Sequence, residues 1–271
     1  MKKTILSLFL LCLFPFSTMS AQETETDASQ GDDLEMAVEL GIEKKLTKKW
    51  NVGVDIEYRL RNSGSEGDRF SIGPKVEYKI MKHLKASAGG VFMQVNNAEK
   101  TRYRSDGSLK WIRASKWGTR YRAFAAVTGD IDLGRFNISL RERWQYTYRK
   151  KYTTTRDYYY QEINGDVVEN KYNRSEPDER DSKSYNVLRS RLAVEYDIVN
   201  CPLTPSVSVE VFNAMNDSWR VEKERFACGV TWKVTKQHAL DLTYYYQNVN
   251  GDDDDNDINS HYLSIGYKFK F

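Results

Sequence analysis

The sequence has few cysteines and prolines and, beyond its first residues, no long apolar run. Its 271 residues include three Cys, five Pro and three His. After the amino-terminal segment no stretch approaches the roughly 18 apolar residues of a membrane-spanning helix, which argues against an inner-membrane helix. Cys201 falls in a predicted turn and Cys228 in a later strand. Because these positions are expected to lie far apart, the sequence predicts neither a disulfide nor a Cys-based metal site.

A strong net charge is also missing. The chain carries 41 Lys and Arg against 38 Asp and Glu, and removal of residues 1–21 would take away Lys2 and Lys3 and leave 39 against 38. A balance this close favours no nucleic acid or other highly charged partner. We therefore predict no nucleic-acid partner and no cofactor.

The amino terminus has the pattern of an export signal. Lys2 and Lys3 precede an apolar run over residues 5–16 and a small-residue stretch ending at Ala21. This order predicts a secretory signal peptide over residues 1–21. The acidic segment 22–33 is predicted to be disordered. Residues 34–271 show no linker and are predicted to form one domain.

The remaining sequence alternates between apolar and polar residues. In Trp50–Arg61 every even position is bulky and apolar, while most odd positions are polar or charged. The carboxyl terminus, His261 to Phe271, alternates in the same way and ends on an aromatic residue. This period of two is typical of a β-strand with one face in lipid and the other in a polar lumen. It predicts an integral protein of the bacterial outer membrane, in contact with its lipid and lipopolysaccharide.

The alternation recurs often enough to predict a closed antiparallel transmembrane β-barrel. Connections alternate between short and long, as periplasmic turns and external loops do. The alternating segments number eleven, which places the barrel in the range of 10–12 strands. Because single-chain bacterial barrels have even numbers of strands, we expect ten or twelve. Bulges are predicted at Gly73–Pro74 and at Gly89–Gly90, where the apolar parity changes. A hairpin is predicted in the longest loop, around Asn164-Gly165.

Several segments in order resemble a known family. They are Leu40-Gly41-Ile42-Glu43-Lys44-Lys45-Leu46, Glu57-Tyr58-Arg59-Leu60-Arg61, Val76-Glu77-Tyr78-Lys79, Arg141-Glu142-Arg143-Trp144-Gln145-Tyr146, Cys201-Pro202-Leu203-Thr204-Pro205 and Gly266-Tyr267-Lys268-Phe269. Over essentially the whole mature chain, this order resembles the uncharacterised outer-membrane family called domain of unknown function 2490. The resemblance implies a barrel and no known activity, and it transfers no functional residues.

Arginine pairs on the inward faces are the sharpest chemical feature. They are Arg59 and Arg61, Arg120 and Arg122, Arg141 and Arg143, and Arg189 and Arg191. Such guanidinium groups can select carboxylated sugars, phosphates or other small anions, which predicts a narrow porin-like channel for an anionic or carbohydrate solute. The alternative is a closed barrel, filled by pairs between these arginines and inward acids. Those acids are Glu35, Glu39, Asp55, Glu57, Glu77, Glu195, Glu210 and Asp241.

The external loops offer a second class of function, surface binding. Tyrosines crowd the longest loop, and such rings stack on sugars or anchor protein contacts. They also cap hairpins and aromatic girdles, which is the alternative role. The tyrosines are Tyr152, Tyr158, Tyr159, Tyr160 and Tyr172. The acidic run from Asp252 to Asp255 lacks the ligand spacing of an EF-hand, so we predict a solvated loop and no metal site.

Two other readings are less consistent with the sequence. A lipid-modifying enzyme needs a relay, but His83, His238 and His261 have no suitably spaced Ser or Asp neighbour, so we predict no catalytic residue. A soluble lipocalin-like barrel would have its apolar face inside, whereas here the polar faces carry many charges and the aromatics cluster at strand ends. We also expect the outer-membrane insertion machinery to recognise the terminal aromatic strand.

Overall fold

The computed structural model describes residues 34–164, 167–216, 219–249 and 258–271. The predicted signal peptide, the segment 22–33 and the acidic run near Asp252 lie outside these residues. Every regular element in the described ranges is a β-strand, and none of their residues forms a helix able to cross a membrane. The strands are β1 Leu34–Lys45, β2 Trp50–Arg61, β3 Glu66–Met81, β4 Leu84–Asn97, β5 Lys100–Tyr103, β6 Leu109–Arg113, β7 Lys116–Leu133, β8 Phe136–Arg149, β9 Tyr152–Asn164, β10 Val167–Arg180, β11 Lys183–Tyr196, β12 Leu203–Ala214, β13 Arg220–Lys233, β14 His238–Val249 and β15 Ile258–Lys270.

Eleven of these strands form a closed barrel, as the alternation predicts. The order around the barrel is β1, β2, β3, β4, β7, β8, β11, β12, β13, β14 and β15, which pairs back to β1. Successive pairs are antiparallel, so with an odd number the first and last strands run in the same direction. The closing pair is accordingly parallel, from Leu34 opposite His261 to Glu43 opposite Lys270. The barrel is confirmed, but the expectation of an even strand number is wrong.

The two faces of the barrel are sorted as predicted. Large apolar side chains lie exposed on the outer face, where Val38 is 58% exposed, Leu140 52% and Ile265 54%. Aromatic rings meet near the short turns, with Trp50 and Tyr78 at a centroid distance of 4.7 Å. This outer surface suits lipid, and most charged residues of the barrel strands lie on the inner face. Glu142 is an exception on the outer face, where its carboxylate accepts a hydrogen bond from Ser190.

The two predicted bulges are absent at their predicted positions in β3 and β4. β4 pairs with β7 continuously from Leu84 opposite Gly129 to Asn97 opposite Lys116. Its pairs with β3 pass from Ile72–Phe92 to Lys75–Gly89 without a shift of register. The parity change has another cause, since β4 turns apolar residues such as Val91 toward the lumen.

Gly89 is required for space rather than for a bulge. A Cβ at this position would lie 2.5 Å from the carbonyl oxygen of Pro74 and 2.7 Å from the ring of Phe124. Real Cβ atoms do not approach backbone oxygen that closely. Glycine therefore lets the neighbouring strand and the lumen-facing ring of Phe124 pack against β4.

The two longest loops contain a second sheet. β5, β6, β9 and β10 form a four-stranded sheet in the order β10-β9-β6-β5. The predicted hairpin is confirmed as β9 and β10, although both strands are longer than the sequence indicated. β6 joins it through the pair of Trp111 and Tyr158. The strands β5 and β6 were not predicted, because segments this short show little alternation.

Phe271 closes the seam between the first and last strands. Its backbone N–H donates to the carbonyl of Glu43 at 3.0 Å, and its carbonyl accepts from the N–H of Lys45 at 3.0 Å. Deletion of Phe271 removes both bonds, and we expect it to lower the free energy of unfolding by about 1–3 kcal/mol. Urea unfolding of protein refolded in lipid vesicles measures this loss.

Phe271→Leu is the matched control, because it keeps both backbone bonds, and it should unfold nearly like the wild type in vesicles. If the insertion machinery reads the terminal ring, assembly in cells should fall for both variants. Equal stability of the deletion and the wild type would contradict a seam role for the terminal residue.

Candidate anion site in the barrel lumen

The barrel encloses a cavity of about 930 Å³ with a positively charged wall. Thirteen Arg or Lys residues line it, against seven Asp or Glu residues. All eight arginines predicted as lumen candidates lie in barrel strands, and seven of them line the cavity. β7, β8 and β11 are neighbours in the barrel, so the arginine pairs on these three strands are brought together.

The eighth, Arg61, lies outside the cavity lining. It makes a bidentate pair with Glu66, at 3.0 Å from Nε and 2.6 Å from Nη2, and also donates to the carbonyl of Asn96. Arg120 does line the cavity, and its Nη2 donates to Asn97 Oδ1 at 3.0 Å. These two arginines therefore have polar partners near the strand ends that carry the long loops.

One row of cross-strand neighbours shares a single carboxylate. Arg141 lies opposite Arg191, Arg191 opposite Glu210, and Glu210 opposite Arg225. We call Arg141, Arg191, Glu210 and Arg225 the carboxylate row. Glu210 is only 3% exposed. Its oxygens accept from Arg141 and from Arg189 of the next row, each at 2.7 Å, with Arg225 at 3.6 Å. The single carboxylate of Glu210 is thus the shared ion-pair partner of three guanidinium groups.

The adjacent row has no acid at all. Arg143 lies opposite Arg189, Arg189 opposite Phe212, and Phe212 opposite Lys223. We call Arg143, Arg189, Phe212 and Lys223 the acid-free row. Lys223 Nζ lies 4.3 Å from the centroid of the Phe212 ring, and Arg189 Cζ lies 4.4 Å from it. The Phe212 ring positions both cations by stacking, and of the two only Arg189 has a carboxylate partner, Glu210 of the carboxylate row.

Several of these cations have no counter-charge. Among the described residues, no carboxylate lies within ion-pair distance of Arg122, Arg143, Arg191 or Lys223. Arg143 stacks over Phe124, with Cζ 3.7 Å from the ring centroid. The buried Nε atoms of Arg143 and Arg191 have no hydrogen-bond partner. This part of the wall therefore carries positive charge that no described carboxylate offsets, and charges away from bulk water are normally paired.

Nearer the short turns, the lumen is balanced by ion pairs. Lys75 lies 2.9 Å from Asp55 and 3.2 Å from Glu43. Lys268 lies 2.9 Å from Asp241. Near the short turns, the lumen therefore contains interior ion pairs, as the closed-barrel alternative expects. The acids there pair with lysines rather than with the predicted arginines. Charge is therefore distributed unevenly along the lumen.

A second group of arginines surrounds Glu57. Arg69 lies 2.6 Å and Arg59 3.5 Å from its carboxylate, and Arg59 also reaches Glu35 at 3.5 Å. Arg59 stacks on Tyr262 at 4.2 Å from the ring centroid. These arginines have carboxylate partners, so they differ from the acid-free row.

Three important cations escaped the sequence analysis: Arg69, Lys223 and Arg225. Lys223 and Arg225 repeat the i, i+2 spacing of the predicted arginine pairs, directly before the alternating apolar residues that start at Phe226. That spacing is the sequence signal that could have identified Lys223 and Arg225 as lumen cations. It was missed because the strand begins six residues earlier, at Arg220, than the apolar residues indicate.

The tyrosine candidates all lie on the β9–β10 hairpin. The rings of Tyr159 and Tyr172 pack edge to face, with their centroids 6.1 Å apart. Arg174 Cζ lies 5.2 Å from the centroid of the Tyr158 ring. Only Tyr160, 44% exposed, and Tyr172, 56% exposed, are largely open among these five tyrosines. Beside Tyr160, Lys171 pairs with Glu162, and this hydrogen bond raises the pKa of Lys171. Tyr152 lies 5.8 Å from Arg149 at the base of the hairpin.

One cluster with metal-ligand chemistry lies by the short turns. His83, Asp130 and Asp132 place one ligand atom each within 4.8 Å of the others. His83 Nδ1 already makes a 3.0 Å hydrogen bond to Asp130, a contact that sequence spacing did not reveal. Asp132 is exposed, and none of the three residues is among the described residues with a buried side-chain atom that lacks a hydrogen-bond partner. We assign no cation to it.

The comparisons with known proteins now identify the family. Residues 38–259 match the model of the family described as protein of unknown function, DUF2490. The chain belongs to this family. No curated protein sequence matches it.

Solved structures are similar in fold. The beta domain of the Bordetella autotransporter BrkA aligns with a TM-score of 0.54 and 13% identity, over 82% of this DUF2490 chain and 83% of that one. The NanC porin aligns with a TM-score of 0.44 and 16% identity, over 88% and 99%. The Escherichia coli outer membrane protease OmpT aligns with a TM-score of 0.37 and 11% identity, over 73% of each chain. The first likeness supports an outer-membrane β-barrel fold.

Proposed function

We propose that this barrel is a narrow, anion-selective channel of the outer membrane. The observation that carries the proposal is the acid-free row, together with Arg122 and Arg191, in the wall of an interior cavity. Rings of Arg and Lys select anions in pores, because their field lowers the energy of an anion and raises that of a cation. The preferred cargo is a small solute that bears carboxylate or phosphate groups.

The size of the cavity agrees with a small solute. A volume of about 930 Å³ lies within the usual range of small-molecule sites, about 300–1,000 Å³. Guanidinium forks match carboxylate and phosphate oxygens. Binding at such a wall must stay weak enough for release, which conduction through a selective pore requires.

Conductance in a planar bilayer tests the channel. Residues 22–271, refolded in detergent, should give single-channel events whose reversal potential in a KCl gradient shows a preference for chloride. At about 8 Å and an effective dielectric near 40, one charge is worth about 1 kcal/mol, or about fivefold in ion partition. We therefore expect Arg143→Gln to lower chloride partition about fivefold and to raise potassium partition about fivefold, which lowers the anion-to-cation permeability ratio about 25-fold.

Arg174→Gln is the matched control, because Arg174 lies on the external hairpin with its side chain 60% exposed. It should leave the permeability ratio unchanged. A wild-type protein without conductance, or with a preference for cations, would reject the channel. Absence of conductance would leave the closed barrel with tyrosine-rich external loops as the better description.

A further inference from the structure

We infer that the carboxylate row and the acid-free row together bind a multivalent oxyanion, meaning one solute with at least two neighbouring phosphoryl or carboxylate groups. This inference rests on the proposed function, since the solute must enter the lumen. It goes further by naming the class of solute and the residues that recognise it.

The charge of the two rows is the first argument. They contain six cations and one carboxylate, and Glu210 is already shared by three arginines. Each cation lies among others: Arg143 lies opposite Arg189 and two residues from Arg141 on β8, and Lys223 lies two residues from Arg225 on β13. Buried charges in proteins are normally paired. A single monovalent ion would leave most of this excess in place.

The arrangement of the arginines is the second argument. Arg141 and Arg143 on β8 lie directly opposite Arg191 and Arg189 on β11. Cross-strand neighbours are about 5 Å apart, and residues i and i+2 of one strand are about 7 Å apart. The four side chains therefore start from the corners of a small rectangle. This spacing suits two linked anionic groups, each held by one arginine fork.

Pre-positioned cations are the third argument. Among the described residues, no carboxylate lies within ion-pair distance of Arg143 or Arg191. Lys223, across Phe212 from Arg189, adds a cation without a carboxylate. The rings of Phe124 and Phe212 hold the cations beside the cavity by stacking. The donors are thus arranged before any ligand arrives, which lowers the entropic cost of binding.

Calorimetric titration of the refolded barrel in detergent tests the site. The probes are inorganic pyrophosphate, citrate and acetate at matched ionic strength and pH. We expect pyrophosphate or citrate to bind at least about tenfold more tightly than acetate, because each further charge-assisted hydrogen bond is commonly worth about that factor. The pyrophosphate and citrate arms distinguish a phosphorylated solute from a polycarboxylate.

Two variants locate the binding. Arg143→Gln and Arg191→Gln, made together, remove no ion pair with a described residue, and they should weaken pyrophosphate or citrate binding at least about tenfold. Lys223→Gln is a milder variant for the case in which the double variant does not refold. Arg61→Gln outside the cavity and Arg174→Gln on the hairpin should bind like the wild type.

Equal affinity for acetate and the multivalent probes would overturn the inference, as would equal weakening by the control variants. These outcomes are separable from failure of the channel. Selective conductance of chloride without a preference for multivalent anions would reject the site alone. Tight pyrophosphate binding without conductance would keep the site and reject the channel.

Discussion

Glu210→Gln is expected to destabilise the barrel by about 3–5 kcal/mol, the typical cost of removing one partner from a buried ion pair. Glu210 is 3% exposed and supplies the only carboxylate of the two rows. Gln keeps the volume but not the charge. Arg141 and Arg189, each 2.7 Å from a carboxylate oxygen, would then lie half-buried beside other cations without a carboxylate partner among the described residues.

Urea unfolding of the refolded protein in lipid vesicles measures this loss. Glu176→Gln is the matched control, since Glu176 also pairs with an arginine, Arg174, at 2.8 Å, but these two side chains are 46% and 60% exposed. An exposed pair is worth about 0–1 kcal/mol, so this variant should unfold nearly like the wild type. Pyrophosphate should partly restore the stability of Glu210→Gln. Equal unfolding of the two variants would show that the shared carboxylate is not a main source of stability.

Leu140→Arg should cost about 2–4 kcal/mol, because an Arg on the lipid-facing surface near the bilayer midplane must leave water. Leu140 lies well inside β8 and is 52% exposed on the outer face. The exposure that would make this change harmless in a soluble barrel makes it costly in lipid. The prediction therefore tests which face of the barrel meets lipid.

Leu133→Arg provides the control for depth. Leu133 ends β7 beside a short turn and is 56% exposed, almost the same fraction as Leu140. Near the interface an Arg reaches water, so the expected cost falls to about 0–1 kcal/mol. Unfolding of both variants in vesicles gives the comparison. Equal, small costs at the two positions would contradict a lipid-facing surface and revive the soluble lipocalin-like barrel.

Much of the barrel was predictable because its information is local. In β2, the alternation from Trp50 to Arg61 identifies both the strand and the face that meets lipid, since side chains point to opposite faces in turn. The inward position of Arg143 follows from the same rule. By contrast, Gly89 was misread as a bulge, because the ring of Phe124 that requires a glycine there lies on a different strand.

The contacts of the candidate site were less predictable. The positions of Arg141 and Arg189 on inward faces were readable, but their convergence on Glu210 was not, because the three residues belong to three different strands. Lys223 was missed because its strand begins before the apolar residues that mark it. The pair of His83 and Asp130 likewise joins residues 47 positions apart.

By itself, the sequence determined that this protein is a membrane β-barrel with a charged lumen, because a period of two sorts the barrel strands into a lipid face and a polar face. Only the tertiary structure decided how the barrel closes and where its charge is unbalanced. An odd strand number makes the pair of β1 and β15 parallel. The register between β8, β11, β12 and β13 brings six cations around one carboxylate. Strand pairing sets such neighbours, and alternation within one strand carries no information about its partner's register.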